Sequence, residues 1–230
     1  MPGGRMSGKF IVFEGLDGSG TTTQSRLLFN KLARHTPLVH LTAEPSTGPV
    51  GQLIRQIIKG RLIGRTITDV KIPFDYQALA LLFAADRLDH VACEIRPLLE
   101  QGYHVISDRY VLSSLAYQGL TSPSEWVACI NSHALKPDIQ FFLDVPASTA
   151  WERLNQARPG SDIFEAPETL TQVAQSYQES LKTLSPETLC VIDGTKSLEE
   201  IEGEIWQTLT DRKLINLETE LEVEIITTDE

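Results

Sequence analysis

The sequence predicts an α/β fold, one parallel sheet with helices on both faces. Two observations point there. Strand-length apolar runs alternate with segments of helical period along the 230-residue chain, the pattern of parallel βαβ units. The first of those runs leads straight into a glycine-rich loop that opens a helix, "FIVFEGLDGSGTTTQ", Phe10 to Gln24. The length suits one large domain with a real core, and neither an internal repeat nor an interdomain linker divides residues 9–210.

Taken in order, Lys9–Phe13 is an apolar run entering glycines, as a strand buried on both faces reads. Thr21–Ala33 is helical, with Leu27, Leu28 and Leu32 on one side. Leu38–Thr42 is a second short strand. The loop "AEPSTGP" breaks the chain with Pro45, Gly48 and Pro49, and Val50–Lys59 returns to helix, Leu53, Ile54, Ile57 and Ile58 forming one apolar stripe. Lys59–Thr68 reads as loop. A long helix is expected from Pro73, a residue suited to a first turn, to Gln101, bent near its end by Pro97. "YHVIS", Tyr103–Ser107, is the next strand, followed by helices over Tyr110–Tyr117 and Pro123–Ala134. Asp138–Val145, "DIQFFLDV", is the fourth strand. Ala147–Asn155 is helical, "QARPGSDIF" a polar loop, Thr169–Leu184 a helix, Leu189–Asp193 the fifth strand and Ser197–Leu209 a closing helix.

The flanks differ from this body. Residues 1–8, "MPGGRMSG", lack the apolar stretch of a secretory signal and read as a disordered leader. Residues 211–230 form an acidic tail, in which Leu221–Ile226 alternates like an edge strand while the charge favours disorder. The net charge of −11 is concentrated at that end: from Asp193 onward there are 12 acids and 3 bases, against 19 acids and 17 bases before it. No basic footprint for nucleic acid appears, although a few arginines converging locally would suit a small anion. The longest apolar run, Ala78–Ala85, is too short to span a bilayer. Cys93, Cys129 and Cys190 have no zinc-binding spacing and are expected to be reduced core thiols of a cytoplasmic protein.

The loop approaches the phosphate-binding pattern G-x-x-x-x-G-K-[ST], because Gly15, Gly20 and Thr22 fall in place. Thr21 stands where the lysine belongs. Main-chain N–H groups of Gly18, Ser19, Gly20, Thr21 and Thr22 at a helix N-terminus still grip phosphate without it. The Thr22 hydroxyl suits Mg²⁺. What is lost is a point charge on the β- and γ-phosphates. Lys9 is no substitute, since it starts its strand roughly 20 Å from the loop. Arginines from elsewhere suit the role better, guanidinium matching phosphate geometry. The expected domain is thus of the P-loop NTPase type.

Four ordered segments extend that reading. "EGLDGSG", "LLFAADRLDH" (Leu81–His90), "ISDRYVLSSLAYQGL" (Ile106–Leu120) and "LKPDIQFFLDVP" (Leu135–Pro146) resemble thymidylate kinase, over about Lys9 to Ile205. The resemblance implies a single domain with a five-stranded parallel sheet, a homodimer, and transfer of the γ-phosphoryl of ATP to dTMP with Mg²⁺. It implies that Gly15, Leu16, Asp17, Gly18, Ser19, Gly20, Thr21 and Thr22 hold ATP, with Asp17 also near the sugar 3′-hydroxyl and the metal. Asp108 would hold Mg²⁺ through water, beside Thr22. Arg109 would bridge the two phosphate groups. Phe83 and Arg87, one helical turn apart, would stack on the pyrimidine and donate to its O4. Ser114 or Gln118 would read a base edge, and Tyr117 would pack under the deoxyribose. Glu44 matches the family's Glu-Pro loop.

Two departures remove positive charge. Thr21 replaces the usual lysine, although some bacterial members resemble "GSGTTTQ", and Ala43 stands where many bacterial members have arginine. The loop after Trp151 resembles the family's lid, so Arg158, assisted by Arg109, is expected to restore the lost charge. Two other readings stand beside an active kinase: a catalytically inactive nucleotide-binding regulator, and a kinase for another deoxynucleotide or nucleoside.

Overall fold

The computed structural model of the chain describes residues 8–157 and 167–215. "FIVFEG" is β1 (Phe10–Gly15), buried at all six positions. Ile11 and Phe13 pack with Leu28 and Leu32 of α1 (Thr21–Leu32), whereas Phe10 and Val12 pack on the other layer. Burial on both faces is why the run is continuously apolar. By the two-residue period of a strand, Glu14 joins Phe10 and Val12, as a charge inside the sheet. β2 (Val39–Ala43) and α2 (Pro49–Ile58) follow, with Pro49 in the first turn of the helix.

The next segment departs from expectation twice. Residues read as loop contain β3 (Gly64–Arg65), paired antiparallel with β4 (Lys71–Ile72); two-residue strands are too short to show a period. Pro73 lies outside the helix it was expected to open. α3 (Tyr76–His90) starts later because the Asp75 carboxylate accepts from Ala78 N–H at 2.7 Å and caps it. The helical run continues past Pro97 to Glu100, close to its expected end, but in place of a simple bend it carries a widened turn. A π-turn, Val91–Ile95, passes into α4 (Arg96–Glu100), and Arg96 N–H bonds back five residues to Val91 O. The widened turn admits a proline that offers no donor of its own.

β5 (His104–Asp108) leads into α5 (Val111–Tyr117) and a 3₁₀ turn, Gln118–Leu120. α6 (Ser124–Ile130) is shorter than expected because the Asn131 amide bonds to Val127 O at 2.8 Å and closes its last turn. β6 (Ile139–Asp144), α7 (Ala147–Ala157), α8 (Pro167–Leu181), β7 (Leu189–Asp193) and α9 (Leu198–Asp211) complete the described order. Ser197 and Glu200 start α9 with a reciprocal capping box.

The five-stranded sheet runs β2-β5-β1-β6-β7, every pair parallel. α1 and α9 cover one face through Leu28, Leu32, Ile201, Ile205 and Leu209. The π-turn, α5 and α8 cover the other through Val91, Ile95, Leu112, Leu170 and Tyr177. The sheet is therefore the expected one. Because all strands point the same way, Gly15, Ala43, Asp108, Asp144 and Asp193 end along one edge, where open α/β sheets bind ligands. Leu214 and Ile215, at the start of the expected tail, pack on the α1–α9 side; residues 1–7 and 216–230 lie outside the described residues. The cysteines correct an expectation. Cys93 and Cys129 are exposed and Cys190 is half-buried, all three unpaired. No helix among the described residues is long and apolar enough to cross a membrane.

Candidate active site

The loop after β1 forms a tight cradle. Ser19 N–H closes a turn on Leu16 O at 3.0 Å, and Gly20 precedes α1 with φ +100° and no side-chain cap. The first N–H groups of α1 thus have no intrahelical partner. Gly18 has φ +84°, and a Cβ there would lie 2.4 Å from Ala150 O, so only glycine lets the loop meet α7. Gly18 to Gln24 line one side of a cleft of about 530 Å³, with Arg153, Lys196 and Ser197 opposite. A second cleft, about 340 Å³, lies on the other side of Thr22, which borders both.

Arg109, directly after β5, lines the smaller cleft. Its Nη2 lies 2.6 Å from Asp17 Oδ1, while Nη1 donates to Gly15 O at 2.9 Å and Ser113 Oγ at 3.1 Å. Its φ of +73° is a strained conformation for a side chain with a Cβ. Arg109 N–H on Phe13 O at 2.8 Å and Ser107 Oγ on Arg109 O at 2.8 Å hold it there. Burial opposes its charge, but Asp17 and the surrounding oxygens keep it protonated. Tyr117 O–H donates to Asp17 Oδ2 at 2.9 Å, and the Arg109 guanidinium lies over the Tyr117 ring. Burial first, and then the neighbouring Asp17 charge, raises the Tyr117 hydroxyl far above its ordinary range, so it remains a donor.

Glu14 supports this arrangement from inside the sheet, a role missed in the sequence. Its Oε1 accepts from Tyr110 N–H at 2.9 Å and Ser113 N–H at 3.2 Å, and its Oε2 from Ser113 Oγ at 2.6 Å. Burial raises its carboxyl above the usual value, opposed by Ser113 and Arg109. Glu14→Ala leaves two buried N–H groups without partners, and each such loss costs about 1–3 kcal/mol. Chemical denaturation is expected to show a fall of about 2–5 kcal/mol, with a loss of turnover as Arg109 loosens.

The 340 Å³ cleft gathers the expected acceptor residues: Phe83, Arg87, Ser114, Tyr117 and Gln118 all line it. Phe83 is half-buried against the Ile54–Ile57–Leu79 cluster and forms part of the wall. Arg87 is only 1% exposed. Its Nε donates to Glu44 Oε2 at 2.8 Å, its Nη1 to Asn131 Oδ1, and its Nη2 to Tyr110 O at 3.1 Å and Ser114 Oγ at 3.0 Å. Glu44 is thus the acid that fixes Arg87. Gln118 Oε1 is buried with no partner, an acceptor left over beside the cleft. Arg55 and Lys59 of the α2 end also line it. Sequence reading took only the apolar stripe of α2; the signal it passed over was a cation, Arg55, directly after Ile54 of that stripe.

Thr22 Oγ1 donates to Asp108 Oδ2 at 2.5 Å, and Asp108 Oδ1 is buried without a partner. The two residues named for metal binding therefore meet. Among the described residues no cluster of three or more His, Cys, Asp or Glu side chains is built to hold a metal alone. Thr21 is buried and lines the larger cleft. Arg153 Nη1 reaches Gly194 O at 3.0 Å, and Lys196 pairs with Glu204. Lys9 lies, as expected, at the opposite sheet edge, where it pairs with Asp138 at 3.1 Å. Arg158 lies outside the described residues. Six cations border the two clefts (Arg55, Lys59, Arg87, Arg109, Arg153 and Lys196) against the carboxylates of Asp17 and Glu44. In a chain of net charge −11, that local excess marks a site for anions.

Comparison with known proteins agrees. The family profile described as thymidylate kinase matches residues 13–205. A probable thymidylate kinase of Methanocaldococcus jannaschii is 42% identical over 198 residues, covering 85% of this chain and 93% of the relative. One from Pyrobaculum aerophilum is 40% identical over the same length and coverage. A solved thymidylate kinase from Candida albicans superposes with a TM-score of 0.74 at 25% identity, spanning 91% of this chain and 96% of that one. A glycine cradle, two clefts that share Thr22 and these matches lead to one conclusion: the chain belongs to the thymidylate kinase family.

Proposed function

We infer that the chain transfers the γ-phosphoryl group of ATP to thymidine monophosphate, giving ADP and thymidine diphosphate. The bond from the γ-phosphorus to the β,γ-bridging oxygen breaks, and a bond to an acceptor phosphate oxygen forms. The observation that carries this reading is the pair of clefts that share Thr22, with the Arg109–Asp17 pair lining the smaller of them. Such a layout suits phosphoryl transfer, which depends mostly on positioning and on neutralising charge.

ATP lies along the larger cleft, its phosphates on the N–H groups from Gly18 to Thr22. Arg109 spans the gap to the acceptor phosphate, which Arg55 meets from the other side, aided by Lys59. Asp17 orients Arg109 and Tyr117 at the sugar. Phe83 stacks on the base, Arg87 donates to O4, and Ser114 and Gln118 read its edge. Thr22 and Asp108 hold Mg²⁺, since a hydroxyl and an unpaired carboxylate oxygen suit a cation that keeps several waters and binds through phosphates. When bound, the ion neutralises charge on the β- and γ-phosphates. Arg158, assisted by Arg109 as the sequence leads one to expect, offsets the missing lysine, and Arg153 and Lys196 line the same larger cleft as the glycine loop. Exposed Leu81 and Leu88, seven residues apart on α3, support a homodimer, and unpaired thiols support a cytoplasmic location.

A coupled ADP-release assay with ATP and Mg²⁺ tests the assignment against thymidine, AMP, dUMP and thymidine monophosphate. Thymidine monophosphate is expected to give the highest kcat/KM. Preference for AMP or for the free nucleoside contradicts the reading, and no turnover with any acceptor favours the inactive regulator.

A further inference from the structure

Arg87 has its carboxylate partner in Glu44, and Glu44 has a second neighbour that the reaction as read above leaves unused. His90 is buried, one turn along α3 from Arg87. Its Nδ1 lies 3.3 Å from Glu44 Oε1, while Glu44 Oε2 faces the Arg87 guanidinium at 2.7 Å. On the other side of the ring, Nε2 is 2.8 Å from Thr42 Oγ1 and 3.4 Å from Glu94 Oε1. The same Glu94 oxygen lies 2.8 Å from His40 Nε2, which is partly exposed. A line of alternating charge-bearing groups (Arg87, Glu44, His90, Glu94, His40) thus runs from the acceptor cleft to the surface.

Both nitrogens of the ring face carboxylate oxygens. A neutral ring can donate from Nδ1 to Glu44 and accept at Nε2 from the Thr42 hydroxyl, but only the doubly protonated ring, set between the Glu44 and Glu94 carboxylates, donates toward both. Glu44 is itself buried and needs donors on both oxygens. We propose that His90 is a positioning residue of the acceptor site: as an imidazolium it pins Glu44 against Arg87 and so sets the guanidinium that faces the nucleobase. The proposal rests on the function inferred above. Burial works against the charge on His90, but Glu44 and then Glu94 outweigh it and lift the ring above its ordinary value of 6.5. The groups facing His90 are Glu44 from the loop after β2, Thr42 of β2 and Glu94 of the π-turn, with Arg87 and His40 one step further. Asp86, also buried, is turned to Ser46 instead, accepting its N–H at 2.7 Å and its hydroxyl at 2.6 Å.

The sign follows from the raised value. Below its ordinary value the ring is charged and Glu44 is held by two cations. As pH rises through the folded value the ring loses its proton, and Arg87 keeps a partner no longer fixed from behind. Kinetics of the parent and His90→Gln across about pH 5.5–9 read this directly. In the parent, KM for thymidine monophosphate is expected to rise about tenfold across the titration, the scale of losing one hydrogen bond to a charged group, while KM for ATP and kcat do not follow. In His90→Gln that KM is already high at low pH and stays flat. Imidazole NMR of the parent gives an independent reading. Of the chain's five histidines, the signal lost in His90→Gln is expected to titrate above 6.5. If that variant does not fold, replacing the other four histidines singly assigns the signal by elimination.

The proposal is overturned if His90→Gln keeps the parental KM profile, if both KM values and kcat move together, or if the His90 ring is neutral throughout. The NMR titration needs no turnover, so failure of the charged ring is separable from failure of the assigned reaction. A parent unable to use thymidine monophosphate overturns the latter.

Discussion

Arg109→Ala is expected to lower kcat by about 10³, with KM for ATP changed little. Arginines that neutralise charge on a transferring phosphoryl group contribute about 10³–10⁵ in rate. The lower end is expected here because Arg55, Lys59 and Arg153 also border the two clefts. Loss of the guanidinium also frees Asp17, whose Oδ1 it holds at 2.6 Å. Arg109→Lys restores the charge but not the fork that reaches Asp17, Gly15 O and Ser113 together, so it recovers only a small part of the rate. Steady-state assays at saturating ATP and thymidine monophosphate measure both. An Arg109→Ala enzyme within tenfold of the parent would remove this residue from the catalytic machinery.

Asp17→Asn is expected to lower kcat by about 10², an effect typical of one positioned acidic or basic group. The shape is kept, but one acceptor oxygen becomes an NH₂ facing either Arg109 or the Tyr117 hydroxyl, both donors to the carboxylate. Because Asp17 and Arg109 act as a pair, the two losses are not additive. The double variant is expected to fall less than tenfold below Arg109→Ala alone. A double variant slower by the full product of the single effects would mean that the two side chains work independently.

Much of this site was legible because chemistry sits at the ends of apolar strands. β1 ends in the glycine loop and β5 in Asp108–Arg109, so the strands themselves announce where to look. Phe83 and Arg87 shared a helical face by spacing alone, and the structure brings both to one cleft. What was hidden depends on contacts distant in sequence. Arg87 is fixed by Glu44, Tyr110, Ser114 and Asn131, none within a helical turn of it. Glu14 looked like one acid in an apolar run, and only the return of α5 over β1 gives it Tyr110 and Ser113 as donors. The π-turn before Pro97 was read as a bend, since the sequence shows the missing donor but not how a helix accommodates it.

The central claim is that main-chain amides and guanidinium groups meet the donor phosphates where the loop lysine is absent. Thr21→Lys, assayed beside the parent with ATP and thymidine monophosphate, tests it most directly, because position 21 lines the larger cleft at the start of α1. With compensation in place, kcat is expected to stay within tenfold of the parent. A gain of 10³ or more, the scale of a missing phosphate-neutralising cation, would show the charge to be uncompensated and contradict the claim.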